Sequence, residues 1–200
     1  MANQKNESEL LFEEYLRGQN LTFEYEKPRD FSGNLIDYTV PFDNREFLFE
    51  VKEFEPLDYP VGTVFAFDPY KEIRAKIHEA QKQFRDYGDF ACSIVLCNLK
   101  NALVQLSENH VMLGAMYGDA GFTMKVDPSL GRAVGPLEPS FLGRGKMIRP
   151  KTQEPQNTRV SALITLREYH VGGERLYKHI KEKTFSSREK EWDYNLSDLG

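Results

Sequence analysis

The amino-acid sequence predicts an α/β fold: a mixed central β-sheet flanked by helices, built as one domain over residues 1–200. Three observations lead there. Segments whose apolar residues recur at helical spacing are interleaved with segments that alternate with period two. One run, Ala91 to Cys97, is apolar except for Ser93 and suits a strand buried on both faces. The 200 residues are 40% hydrophobic and include 14 Phe and 10 Tyr, enough to fill a core without disulfide or metal staples. A charged fraction of 28% beside that apolar content excludes a disordered or collagen-like chain.

Residues 7–17 (ESELLFEEYLR) have the spacing of an amphipathic helix, with Leu11, Phe12, Tyr15 and Leu16 on one face and Gly18 as its stop. Leu21 to Tyr25 alternates like a strand. Leu35 to Phe42 and Glu46 to Phe54 alternate again around Asp43-Asn44, a pair suited to a two-residue hairpin turn. After a loop at 55–67, Asp68 caps a helix that opens with Pro69 and runs to about Tyr87. Its apolar stripe is Ile73, Ile77, Ala80, Phe84 and Tyr87, and Gly88-Asp89 stop it. Ala91 to Leu99 is the buried strand. Residues 7–99 thus form a core, and the rest divides into three parts. A loop-rich insertion spans 107–158, with a short helix from Ser107 to Tyr117, a strand at 122–126 and loop over 127–158 on account of its prolines and glycines. A closing strand (Val160–Leu166) and helix (ERLYKHIKEK, after Gly172-Gly173) occupy 159–183. A polar tail covers 184–200.

The formal net charge is −5, but it is unevenly spread: residues 1–60 hold 14 acids and 6 bases, the remainder 17 acids and 20 bases. The overall sign argues against a protein that simply coats nucleic acid. The acidic third is the place to look for carboxylates that need a cation. Cys92 and Cys97 are five apart in a strand, on opposite faces, and do not bridge. No apolar run approaches the roughly 20 residues that span a bilayer, and MANQKNESEL offers no signal sequence. A cytoplasmic protein without a membrane partner is expected. His78, His110, His170 and His179 form no catalytic or zinc-binding spacing.

With Asp43-Asn44 as the turn, Phe42 faces Arg45. One face of the hairpin then collects Ile36 with Val51, Tyr38 with Phe49, and Val40 with Phe47, all apolar. The other face places Asp37 opposite Glu50, and Leu35 opposite Lys52. Two carboxylates at one spot destabilise a sheet unless compensated. Lys52 can offset one; a divalent cation with a taste for hard oxygen ligands, Mg²⁺ or Mn²⁺, can offset more. An exposed hairpin face with an ordinary ion pair is the alternative.

Asp37, twelve residues, then Glu50-Val51-Lys52, on adjacent strands behind an N-terminal helix, resembles the PD-(D/E)XK nuclease superfamily. Acid-x-Lys occurs once in the chain, at this place. The order helix, three strands, helix, strand (αβββαβ) over residues 7–99 is the order of that family's restriction-endonuclease-like core. Gln83 to Tyr87 matches the Gln-x-x-x-Tyr motif of its RecB-like branch, and Ile36 stands where the family's usual proline precedes the aspartate. The resemblance implies a metal-dependent DNA nuclease. Asp37, Glu50 and the Val51 carbonyl would be metal ligands and Lys52 the catalytic lysine. Glu9 (with Glu13 and Glu14 as weaker choices on the first helix) would serve a second metal or its water, and Gln83 and Tyr87 would hold substrate or water. Grip on a polyanion falls to Arg144, Lys146, Arg149 and Lys151 in FLGRGKMIRPK, which carries no acid. DNA is the expected partner, RNA the other nucleic-acid class, and a homo-oligomer or accessory protein the expected protein partners. A non-catalytic nucleic-acid- or protein-binding member of the same fold is the competing reading.

Overall fold

A computed structural model describes residues 5–29, 34–57, 67–101, 103–149, 152, 154–171, 174–177 and 183–184. Helix α1 (Glu7–Gly18) begins where Asn6 and Glu9 cap one another. The Asn6 side chain accepts from the Glu9 amide at 2.8 Å, and a Glu9 carboxylate oxygen accepts from the Asn6 amide at 2.7 Å. Leu11, Phe12 and Leu16 are its buried face. Replacing Asn6 by Ala removes half of this box and is expected to lower stability by about 1 kcal/mol in a urea melt; an unchanged midpoint would mean the cap contributes nothing.

Three antiparallel strands follow: β1 (Glu24–Tyr25), β2 (Tyr38–Phe42) and β3 (Arg45–Glu53). Asp43 and Asn44 both have positive φ, 49° and 60°, the requirement of a type I′ turn. The expected register holds, with Tyr38 opposite Phe49, Val40 opposite Phe47 and Phe42 opposite Arg45. Helix α2 (Pro69–Gln83) is capped by Asp68, whose carboxylate accepts from the Tyr70 amide at 2.9 Å, and tightens into a 3₁₀ turn at Phe84–Asp86. The stripe Ile73, Ile77, Ala80, Phe84 and Tyr87 is buried throughout. Strand β4 (Ala91–Cys97) lies parallel to β3. The element order expected for residues 7–99 is therefore the one observed.

Beyond it come α3 (Asn109–Tyr117), β5 (Asp119–Asp127), β6 (Arg132–Leu142), β7 (Val160–Leu166), β8 (Glu168–Val171), β9 (Glu174–Tyr177) and β10 (Lys183–Thr184). The main sheet has six strands in the order β1-β2-β3-β4-β7-β10, with β3, β4 and β7 parallel and the rest antiparallel. It is mixed, as expected. A core lies on each face. The α1 side holds Leu11, Phe12, Leu16, Tyr38, Val40, Val51, Val95 and Cys97. The α2–α3 side holds Leu48, Ile73, Ile77, Phe84, Ile94, Leu96 and Met116. Cys92 belongs to the second core and Cys97 to the first, so the sheet separates the two free thiols.

Several expectations fail. Residues 127–158 are loop only in part: β6 pairs with β5 over most of its length in a separate two-stranded ribbon, while 143–149 and 154–158 stay outside regular strands. Pro139 is accommodated opposite Phe122 because a free-standing ribbon has outward edges, where a missing donor costs little. The helix expected from Glu174 is instead β9, paired with β8. Val171 faces Glu174 in that pairing, and the rest of the expected helix, at 178–182, lies outside the described residues. The cap of α3 is Glu108 rather than Ser107. The first strand is only two residues long, and the strand expected from Leu35 begins at Tyr38.

Candidate active site

The site grows from the open end of the β2–β3 hairpin. The ladder stops at the Tyr38–Phe49 pair, so the Val51 amide has lost its backbone acceptor on that side. The Asp37 carboxylate replaces it, with Oδ2 accepting from Val51 N–H at 2.8 Å. The Asp37 carbonyl in turn accepts from the Glu26 amide at 2.9 Å. Asp37 is thus fixed at both backbone and side chain, just outside the strand. Release from the ladder also ends the strict alternation. Ile36 turns into the α2-side core instead of joining Tyr38 and Val40, and Leu35 is exposed rather than set opposite Lys52.

Glu50 projects from β3 on the side opposite Val51 and is only 2% exposed. Lys52 Nζ donates to its Oε1 at 2.7 Å. Its other oxygen, Oε2, is buried with no hydrogen-bond partner. An orphaned, buried carboxylate oxygen is costly, and neutralisation by a proton or a cation relieves it. Burial raises the Glu50 carboxyl above its ordinary range, against the pull of Lys52. Burial, with the charge of Glu50 behind it, raises Asp37 to about 7. The two carboxylates and Lys52 form one electrostatic unit.

Glu9 reaches this unit from α1. The helix is docked on the end of β3 by Ser8, whose amide and hydroxyl both donate to Glu53 Oε2, at 3.2 and 2.8 Å. Glu9 is buried, accepts from the Tyr25 hydroxyl at 3.3 Å, and adds its charge to the upward shift of both Asp37 and Glu50. Glu13 serves elsewhere. It is held by Lys5, by Arg17 at 2.6 Å and by the Tyr38 hydroxyl at 3.1 Å, which outweigh burial and keep its carboxyl low. Glu14 is half-buried on the same helix.

Tyr87 follows the 3₁₀ turn, buried in the α2-side core, and its hydroxyl donates to the Asn34 carbonyl at 2.5 Å. It thereby braces the segment three residues ahead of Asp37, and the Glu50 charge acts on its hydroxyl, which burial shifts upward. Gln83 is half-buried at the end of α2 and makes no hydrogen bond to Asp37, Glu50 or Lys52. Among the basic loop residues, Arg144 is exposed. Arg149 pairs with Glu154 at 3.3 Å, which offsets its charge. Lys146 is anchored through its backbone to Ala115 and Asn157. Lys151 lies outside the described residues.

Sequence reasoning missed Tyr25, Ser8, Glu53 and Arg29. Arg29 pairs with Glu46 at 2.8 Å, donates to Thr39 at 3.1 Å, and lies 4.6 Å over the Phe90 ring. None of these carries a motif; only the fold brings them to the site. Asp37 and Glu50 alone form the carboxylate pair: no group of three or more His, Cys, Asp or Glu able to hold a metal occurs among the described residues. A pair of carboxylates fits the hard-oxygen chemistry of a Mg²⁺ or Mn²⁺ ion, which needs few protein ligands. No described helix is long and apolar enough to cross a membrane. No family model, curated protein or solved structure matches the chain.

Proposed function

We propose that this chain is a metal-dependent nuclease that hydrolyses phosphodiester bonds of DNA, using Mg²⁺ or Mn²⁺, in a cytoplasmic setting. The observation that carries the reading is the buried Glu50 with one orphaned oxygen, set beside Asp37 and joined to Lys52. The Asp37 carboxylate, Glu50 Oε2 and the Val51 carbonyl would hold the cation. A strand residue turns its N–H and C=O to the same neighbour, so the carbonyl faces the Asp37 side. When bound, the cation supplies a Lewis acid for the scissile phosphate and a hydroxide at neutral pH.

The residues divide the remaining work. Lys52 is half-buried, at 17% side-chain exposure, and tethered to Glu50, so its ammonium is held beside the position where negative charge develops. Glu9 keeps a third carboxylate near the pair and orients water at its rim. Tyr87 positions the Asn34–Asp37 segment. A non-catalytic binding role is the second reading. One observation favours it: Lys52 already neutralises Glu50, as a purely structural ion pair would. Incubating supercoiled plasmid, labelled single strands and RNA with Mg²⁺, Mn²⁺ or EDTA separates the two. Cleavage with either metal and none in EDTA is expected. Inert protein on every substrate leaves the binding role.

A further inference from the structure

The acidic first third surrounds the candidate site, so a polyanion must be gripped elsewhere. We propose that a basic ridge along one face of α2, continued by Lys146 and Arg159 around a cavity of about 260 Å³, docks the phosphodiester backbone of duplex DNA. This rests on the nuclease reading and assigns its substrate-binding surface.

His78, Gln81, Lys82 and Arg85 fall at i, i+3, i+4 and i+7 of α2 and the 3₁₀ turn after it, so they share one face, beside the buried stripe. Two loops extend that face. Arg159 is tied to it by its guanidinium, which donates to the Arg85 carbonyl. The Asn157 side chain donates to the Lys146 carbonyl, and Gln81 approaches Met147, so the Lys146 loop packs against the same helix. Between them lies the cavity, lined by Gln81, Asn157, Thr158, Arg159 and Val160. Burial and then the charges of Lys82 and Lys146 hold the His78 imidazole below its ordinary value, which agrees with cations converging there.

Lys82, Arg85, Lys146 and Arg159 have no carboxylate partner among the described residues, and the nearby Glu79 is engaged by Lys76 at 3.6 Å. Asp86 is the one acid on the 3₁₀ turn itself. Amide and guanidinium donors around a small polar cavity suit a phosphate oxygen, and flanking lysines suit its neighbours along the strand. The ridge ends at Tyr87, which touches Asn34 and so leads toward Asp37. An acidic protein would also meet four cations, but the exposed face of the ridge offers no large apolar residue to anchor a protein partner.

The test is fluorescence anisotropy of a labelled duplex in EDTA, across a salt series, for wild type and for Lys82→Gln/Lys146→Gln/Arg159→Gln. The slope of log K against log salt should fall by roughly 1 for each cation removed, with weakening alike for unrelated sequences. Arg132→Gln, at the first residue of β6, should change neither the affinity nor the slope. Arg159 also bonds to Arg85, so Lys82→Gln/Lys146→Gln replaces the triple variant if that unfolds early, with a slope change of roughly 2. An unchanged slope in either variant, no binding by wild type at low salt, or ridge-dependent binding of polyglutamate in preference to DNA overturns the proposal. Ridge-dependent binding without any cleavage would retain the ridge and remove the nuclease reading; cleavage without ridge dependence would do the reverse.

Discussion

Replacing Lys52 by Ala is expected to slow metal-dependent DNA cleavage by on the order of 10²–10³ while the fold survives. Strand β3 explains why the two effects separate. Its α1-side residues Phe49 and Val51 pack with Phe12 and Tyr38, and Leu48 fills the opposite core, so strand placement does not depend on Lys52. What the ammonium supplies is fixed charge beside the phosphate. Its removal leaves Glu50 buried without its cation, so the metal-free variant should melt earlier than wild type, and added Mn²⁺ should close much of that gap. Circular dichroism establishes the fold, and single-turnover cleavage gives the rate. Wild-type cleavage by Lys52→Ala would remove the catalytic assignment.

The second expectation is a pH dependence that metal erases. Asp37 and Glu50 are both raised in the folded chain, Asp37 to about 7, chiefly through burial. In the unfolded chain they ionise near 4. For Asp37 the folded chain binds more protons than the unfolded one between about 4 and about 7, so stability falls as pH rises through that window, and the raised Glu50 carboxyl adds to the fall in the same direction. The cost is on the order of a few kcal/mol. A cation binds the ionised pair, so its stabilisation grows over the same window; at about 100 times its Kd it adds roughly 2.7 kcal/mol. Thermal melts should therefore show a small Mn²⁺ shift near pH 5 and a large one near pH 8. In Asp37→Asn/Glu50→Gln both the pH slope and the metal shift should largely vanish. The side-chain carbonyl that this variant carries at position 37 can still accept from the Val51 amide, so the hairpin end is kept. An equal metal shift in that variant would place the metal elsewhere.

The sequence made the hairpin legible because three constraints agreed: a turn pair that tolerates positive φ, apolar partners along one face (Tyr38 with Phe49, Val40 with Phe47), and one acid-x-Lys. The α2 stripe was legible for the same reason, with five apolar residues at helical spacing between a cap and a glycine. Ile36 and Leu35 were misplaced because period two was carried past the last rung of the ladder, where nothing enforces it. Strand β5 contains the strand expected at 122–126, whereas β6 was hidden because its prolines and glycine are breakers in a central strand but acceptable in a free ribbon. Phe122, Met124 and Val126 alternate there, yet all are exposed, so their pattern reflects pairing rather than burial. The preference for Glu9 over Glu13 gains a physical reason only in three dimensions, where Lys5, Arg17 and Tyr38 claim the latter.

The contact between Asp37 and the Val51 amide makes the hairpin's open end an ionisable latch. The opposite end is closed by covalent chain at Asp43-Asn44; this end is closed by a carboxylate whose strength as an acceptor depends on its proton. Strand length at the site is therefore chemically adjustable. Protonating Asp37 weakens the last rung and leaves the inner ones untouched. The ratio of deuterium uptake at Val51 to that at Phe49 should then rise as the solution is acidified, giving a reporter of the carboxylate's state that needs neither substrate nor label.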